Sequence, residues 1–228
     1  MMKKQRRFWS TPLHAALGVL ALLAGASAPA PSAPTASSSR VSLTFIRHAA
    51  FFSQEARRAT VIDPQIFVRE DSAPEGTGPQ NIEHAAGLRP ARLDDLPEVV
   101  AYNAEGTSLG FDLDKWFAAT GTVDIAPQGA GDRVSATFKN LIAFGVYSLF
   151  RITFAPDGAT FVPLDGDGKN DGFTAGFDGS AGVVVTTPEH LQSGNAIVLI
   201  YHSDATEHGE ARGLLGVTAH HQLIVRLP

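Results

Sequence analysis

The chain of 228 residues contains no cysteine, and its only two methionines are Met1 and Met2. The absence of cysteine excludes disulfide bonds, thiolate nucleophiles, cysteine-ligated zinc sites and blue-copper sites. Beyond the second residue the chain has no thioether ligand either. Any metal site in this sequence must therefore be built from histidine and oxygen ligands.

Apart from the four basic residues among the first seven, the chain has no cluster of basic residues, and it has no long apolar run. Charged residues make up 18% of the chain, and the formal net charge is -5. Such a chain is a poor nucleic-acid binder, because neutralisation of phosphates supplies most of that affinity. The apolar stretch 15–26 is shorter than the roughly 20 residues that a membrane-spanning helix needs. These features argue against nucleic acid as a partner and against a membrane span in the mature chain.

The N-terminus has the pattern of an export signal. Four basic residues within the first seven positions precede the apolar stretch, and small residues around Ala26 suit cleavage. Cleavage there removes four cations and no acid, which takes the formal charge from -5 to -9. We therefore expect a signal peptide over residues 1–26 and a secreted or periplasmic mature protein.

Three segments follow the predicted signal peptide. Residues 27–40 are rich in Ala, Pro and Ser, which predicts a linker. Residues 41–97 have weak periodicity, and we expect a partly ordered N-terminal extension that lies on or pairs with the domain after it. Residues 98–228 contain strand-length apolar runs separated by Gly, Pro, Asp and Asn. This pattern predicts an all-β fold, an antiparallel Greek-key β-sandwich of seven or eight strands.

Side-chain alternation predicts which residues face the core of this sandwich. In the last strand, strict alternation puts His221 on the core face and His220 on the solvent face. One short helix is expected over 113–119, with Asp112 as its N-cap. The apolar positions expected to be buried are Phe138, Phe150, Ile152, Val184, Leu199 and Val217.

Four of the eight histidines, His202, His208, His220 and His221, lie close together near the C-terminus. His202 ends an apolar strand, and a short polar loop containing Asp204 leads to His208. Imidazoles beside a carboxylate suit zinc, copper or iron. We expect His202 and His208, together with Asp204 or Glu207 of the loop, to form a metal site, with His221 or His220 as a further ligand. The alternative is a polar loop beside hydrogen-bonded core histidines.

A second candidate cation site lies in the stretch 165–172. Asp165, Asp167 and Asp171 are interleaved with glycines, a pattern that resembles calcium loops. The EF-hand form is excluded because Gly176 stands where the twelfth-position glutamate should be. A shorter calcium loop and a flexible Asp/Gly hairpin both remain open.

The C-terminal half also resembles a known family. The stretch 198–205, an apolar run that ends in His202 and is followed by an acidic loop, resembles the late copper-binding strand of copper/zinc superoxide dismutases. The stretch 211–217 is similar to the Arg-Leu-Ala-Cys-Gly-Val sequence near the end of that family. The stretch 145–152 stands where the family has its Gly-Leu-His-Gly-Phe-His-Val-His strand. The resemblance covers about residues 121–227 and implies a Greek-key sandwich.

The chain departs from that family at its metal site. Phe150 and Ile152 stand where the resemblance implies two copper-binding histidines, so His202 alone carries over. The family's disulfide is absent as well. A sandwich related to the non-catalytic chordin-type repeat fits the resemblance at least as well as a dismutase does.

Two functions follow from these observations. The first is an exported, non-catalytic β-sandwich that binds or displays something at the cell envelope, with an envelope protein or a polysaccharide as partner. The alternative is a periplasmic or secreted metalloprotein with a histidine-centred copper or zinc site, which would allow redox chemistry if the metal is copper. No convincing catalytic set is present in the sequence, which favours the non-catalytic interpretation.

Overall fold

The computed structural model describes residues 40–156 and 158–228. The predicted signal peptide and all of the predicted linker except Arg40 lie outside these residues. The described residues belong to one compact unit. No helix in this part of the chain is long and apolar enough to cross a membrane.

Strands dominate the described chain. In chain order they are β1 (Val41–Thr44), β2 (Ile46–Arg47), β3 (Ile62–Arg69), β4 (Gly76–Thr77), β5 (Glu83–His84), β6 (Leu88–Arg92), β7 (Val100–Tyr102), β8 (Ser108–Asp112), β9 (Thr120–Gln128), β10 (Gly131–Lys139), β11 (Val146–Ala155), β12 (Gly158–Pro163), β13 (Gly172–Thr174), β14 (Ala181–Thr186), β15 (Ala196–His202) and β16 (Ala219–Arg226). The helical elements are α1 (His48–Glu55), α2 (Leu113–Phe117) and a 3-10 turn (Pro79–Asn81).

Two antiparallel sheets form the body of the fold. The first sandwich sheet has the strand order β1-β9-β10-β14. The second has the order β12-β11-β15-β16-β2, and β13 also pairs with β11. Apolar side chains from both sheets, among them Val134, Phe138, Leu149 and Leu199, pack together into the main core. The predicted antiparallel, all-β architecture is confirmed.

The segment 41–97, predicted as an N-terminal extension, is built into this body. Its strand β1 pairs with β9, and β2 pairs with β16. Strands β3 and β6 form a third sheet with β7 and β8, in the order β6-β3-β7-β8, so pairing continues across position 98. The weak periodicity has a physical cause, since β3 buries the polar residues Asp63 and Gln65 beside apolar ones. Trp116 donates its indole N–H to Asp63 Oδ2 at 2.9 Å, which ties β3 to α2.

The second sandwich sheet is covered on both faces. Its outer face carries a separate apolar cluster that includes Phe150, Ile152, Val198 and Ile224, and Phe51 of α1 packs against this cluster. Strands β11 and β15 are therefore buried on both sides. Every residue of β15 is buried, which agrees with its almost wholly apolar sequence.

Four of the six predicted core residues are buried. Phe138, Phe150, Ile152 and Leu199 are buried, whereas Val184 is 54% exposed and that prediction is wrong. The neighbouring residues Val183 and Val185 point inward instead, opposite Ala136 and Val134 of β10. Three consecutive valines contain no alternation, so only the pairing with β10 decides which of them face the core. Val217, also expected in the core, is half-buried and lies in the turn before β16.

The predicted N-cap is confirmed. Helix α2 begins at Leu113, and the Asp112 side chain accepts a hydrogen bond from the Lys115 backbone N–H at 2.9 Å. This bond satisfies one of the free amide groups in the first turn of the helix.

Candidate metal centre

A strand end and a tight loop bring His202, Asp204 and His208 together. His202 is the last residue of β15, and the chain turns at once, with Ala205 N–H donating to the His202 carbonyl at 3.2 Å. The turn places the two imidazole ring centroids 5.3 Å apart. One potential ligand atom of each of the three residues lies within 4.8 Å of the others. This part of the predicted metal site is therefore assembled in the structure.

His202 is fixed by one nitrogen and free at the other. Its Nε2 forms a hydrogen bond with Ser148 Oγ at 2.8 Å, across the pairing of β15 with β11. Its Nδ1 is buried and has no hydrogen-bond partner among the described residues. A partner on the second nitrogen is the usual arrangement of a metal-binding histidine, because it sets the tautomer and the ring orientation. The free Nδ1 is thus available to a cation.

His208 and Asp204 form the other half of the site. His208 Nε2 lies 3.1 Å from Asp204 Oδ2. This contact is not a hydrogen bond, and within the described chain Nε2 is buried without a hydrogen-bond partner. A cation between the imidazole and the carboxylate would satisfy both groups.

The spacing of the three groups suits a metal with a small adjustment of the loop. In tetrahedral coordination, two atoms that each lie ~2.1 Å from one ion are about 3.4 Å apart. The Asp204–His208 pair, at 3.1 Å, is already close to that separation. The outer bound of 4.8 Å for the whole group means that any wider pair must close by up to about 1.4 Å.

Burial favours the neutral form of His202. The pKa of His202 is lowered from 6.5 to about 4, first by desolvation and then by the neighbouring His208, while Asp204 acts in the opposite direction. His202 is therefore neutral at pH 7. With its Nε2–H donated to Ser148 Oγ, the neutral ring would offer an unprotonated Nδ1 to a metal ion.

His220, predicted on the solvent face and as a further ligand, lies elsewhere. It is fully buried and pairs with Tyr201, on the face of the sheet opposite to His202. Its Nδ1 donates to the Gln65 carbonyl at 3.1 Å, and its Nε2 lies 3.2 Å from Ser203 Oγ. Burial lowers its pKa to about 4. With both nitrogens already engaged, His220 is a structural core residue in this geometry.

His221 is also placed differently from its prediction, because β16 contains a bulge. Leu199 pairs with Leu223 while Ile200 pairs with His221, which leaves Gln222 without a partner on β15. The extra residue breaks the alternation and turns His221 onto the outer face of the sheet, away from Leu223. Its ring packs against His48 and Phe161, with centroids 4.9 Å and 5.4 Å away. It does not belong to the group formed by His202.

His48 and Ser148 were missed by sequence reasoning. His48 begins α1 and is buried, and desolvation lowers its pKa to about 3. Nothing in the local sequence marked His48 as buried, because residues 41–52 fit either a strand or a helix. The local sequence did mark Ser148, which is a polar residue on the same side of β11 as Phe150 and Ile152.

The three aspartates of the predicted calcium loop do not converge on one point. Asp165 accepts four backbone N–H bonds from residues 167–170 and so organises the loop itself. Asp167 pairs with Lys169 at 2.6 Å. Asp171 is buried, and its Oδ2 has no partner among the described residues. Calcium binding by this loop stays a prediction.

Asp171 also connects this loop to the metal centre. Burial, followed by the charges of Asp165 and Glu207, raises the pKa of Asp171 to about 7. Glu207 precedes His208, and its carboxylate lies against Gly172, where a β-carbon would be only 2.3 Å from Glu207 Cδ. The aspartate loop and the histidine loop therefore pack directly on each other.

No protein-family model, curated protein sequence or solved structure matches this chain. The fold and the site alone define its class, which is an all-β protein with a candidate His/Asp metal site.

Proposed function

We propose that this protein binds one zinc or copper(II) ion through His202, Asp204 and His208. The observation that carries the proposal is the convergence of the three groups while two imidazole nitrogens, one from each ring, are buried without hydrogen-bond partners in the described chain. Two nitrogens and one carboxylate oxygen leave a fourth position open in tetrahedral coordination. That position would hold water or a ligand from solution.

The chemistry of the donors narrows the choice of metal. Imidazole suits zinc, copper, iron and nickel, and the chain has no thiolate that would select copper(I). Copper(II) binds a given nitrogen and oxygen site more tightly than zinc in the general affinity order, so availability in the protein's compartment would decide between them. The role of Ser148 is to hold the His202 ring in position.

The metal titration uses full-length protein purified without a histidine tag and stripped with a chelator. We expect one zinc or copper(II) ion per chain, measured by calorimetry. His208→Ala should weaken binding by at least about 100-fold, because loss of a direct ligand should exceed the 10–100-fold effect of losing an outer partner. His84→Ala removes a histidine outside the site and should keep wild-type affinity.

Two outcomes would reject the metal site. One is the absence of stoichiometric binding by the wild type. The other is equal affinity in the wild type and the His208→Ala variant. Ser148→Ala gives an independent check, since it keeps all three ligands and should reduce affinity by about 10–100-fold.

We also propose that the mature protein is an exported binding module of the cell envelope, with an envelope protein or a polysaccharide as partner. The proposal is supported by the N-terminal signal pattern and by Phe144 and Phe177, which are 70% and 80% exposed. Their loops are joined by a hydrogen bond from Leu141 N–H to the Gly179 carbonyl at 2.9 Å. A contiguous exposed apolar patch is typical of an interaction surface, and we propose that these two loops contribute to one.

Export has a direct test. N-terminal sequencing of protein recovered from the periplasmic or secreted fraction should give a chain that begins near Ser27. Recovery of a chain with an intact Met1 from the cytosol would reject export. This result would leave the metal proposal unaffected.

A further inference from the structure

A hollow of about 420 Å³ lies where the end of α1 meets strands β3, β4 and β6. Three arginines, Arg58, Arg89 and Arg92, line it, and no carboxylate does. The formal charge of the whole chain is -5, so a concave surface bordered by three guanidinium groups stands out against an acidic background. None of the residues of the metal centre lines this hollow.

The three arginines differ in how their charge is compensated. Arg89 forms a two-pronged ion pair with Asp95, with N–O distances of 2.8 Å and 2.6 Å, and also pairs with Glu70. Its guanidinium is therefore held rigidly and neutralised. Arg58 and Arg92 make no ion pair with any residue in the described ranges 40–156 and 158–228.

The hollow carries a net positive charge. Three guanidinium groups face the two carboxylates of Glu70 and Asp95, which leaves one cationic charge uncompensated. Both free arginines are exposed, so their donors are open to a ligand. Arg58 also makes a cation–π contact, since its guanidinium carbon lies 5.6 Å from the Phe52 ring centroid.

Apart from Thr77 and Gly78, the rest of the lining is apolar. Ile62, Pro79 and Pro90 border the same hollow. Its volume is within the ~300–1,000 Å³ of typical small-molecule sites. An apolar surface beside free guanidinium groups complements a ligand that has an apolar body and a terminal oxyanion, because guanidinium donors match carboxylate and phosphate oxygens.

We propose that this hollow binds a small organic anion. Arg58 and Arg92 donate hydrogen bonds to its carboxylate or phosphate group, and its apolar part packs on Pro79 and Pro90. The site does not depend on the metal centre, so the two proposals can fail separately.

The test uses full-length protein and three probes that share an aromatic body: benzoate, phenyl phosphate and neutral benzamide. Binding is followed by calorimetry and by chemical-shift changes of the backbone amides around the hollow. We expect benzoate or phenyl phosphate, or both, to bind with one site per chain, and benzamide to bind at least 10-fold more weakly. Which anion binds tighter identifies the preferred oxyanion.

Charge-removing variants locate the binding. Arg58→Gln and Arg92→Gln should each weaken anion binding about 10-fold, since a hydrogen bond to a charged group is lost. Arg133→Gln is the matched control, because Arg133 is exposed on β10 and outside the hollow. Unchanged melting temperatures would show that the variants fold.

Three results would overturn the proposal. They are no anion binding at millimolar probe, benzamide binding as tight as that of benzoate, or an equal loss in the Arg133→Gln control. The last of these would show attraction to charge in general and not to this hollow.

Discussion

Acidification from pH 7.5 to pH 5 is expected to lower the free energy of unfolding by roughly 4 kcal/mol. The cause is a set of buried histidines. Burial lowers the pKa of His48 to about 3 and that of His220 to about 4, and it lowers the pKa of His221 well below 6.5. Folding therefore holds these imidazoles neutral at a pH where the unfolded chain protonates them.

The direction of this pH dependence follows from which state, folded or unfolded, binds more protons. A histidine with a depressed pKa in the folded state contributes its full stability above pH 6.5 and loses it as the pH falls toward the folded value. Asp63 opposes the trend, because burial raises its pKa to about 6 and the folded state then gains a proton first. His202 and Asp171, with pKa values of about 4 and about 7, shift in opposite directions and nearly offset each other. The net result is about two protons taken up on unfolding near pH 5.

Urea unfolding at several pH values between 7.5 and 5 measures this dependence. His221→Phe should reduce the total pH effect, since one buried titrating ring is removed and an aromatic ring remains. His84→Gln, which removes a histidine outside the buried set, serves as the matched control and should keep the wild-type pH dependence. Stability that is flat or that rises on acidification would contradict the prediction.

Truncation of Phe150 should destabilise the protein by about 3–5 kcal/mol. Phe150 is 1% exposed and belongs to the apolar cluster on the outer face of the second sandwich sheet. Phe150→Ala would leave a cavity among Ile152, Val198 and Ile224, which strands of a hydrogen-bonded sheet cannot readily close. The measurement is the urea unfolding free energy at pH 7.5.

The control for this variant is Val184→Ala, on the exposed side of β14. Because Val184 is 54% exposed, its truncation should cost less than about 1 kcal/mol. Similar effects of the two substitutions would show that the outer face of the second sheet is not packed as described.

Features that depend on interactions between residues close in sequence could be predicted from the sequence. The Asp112 cap needs only a carboxylate three residues before the backbone N–H that donates to it. The grouping of His202, Asp204 and His208 needs only a strand end and a short loop, since the contacts span six residues. Alternation likewise placed Phe138 in the interior, and a continuous apolar run placed Leu199 there. The antiparallel strands followed from spacing and turn residues.

Long-range features were not readable. The pattern of residues 41–52 is compatible with either a strand or a helix, and α1 forms where its side chains, Phe51 among them, can pack on the rest of the fold. The contact between Gln65 and the β16 histidines joins residues 155 and 156 positions apart, and local periodicity has no access to such a pair. The resemblance to copper/zinc superoxide dismutases stays a prediction, because no comparison tests it.

The amino-acid sequence by itself determined the β-rich class and the α2 cap, and it named His202, Asp204 and His208 within a larger set of candidate ligands. The tertiary structure decided which way the remaining histidines point. A one-residue bulge at Gln222 turns His221 to the outer face, although strict alternation predicts the core with Leu223. Likewise, the register of β14 against β10 exposes Val184 and buries Val185. The face of a sheet on which a side chain lies depends on how its strand pairs with the neighbouring strands. A bulge or an uninterrupted apolar run removes the alternating pattern from which that face could be predicted.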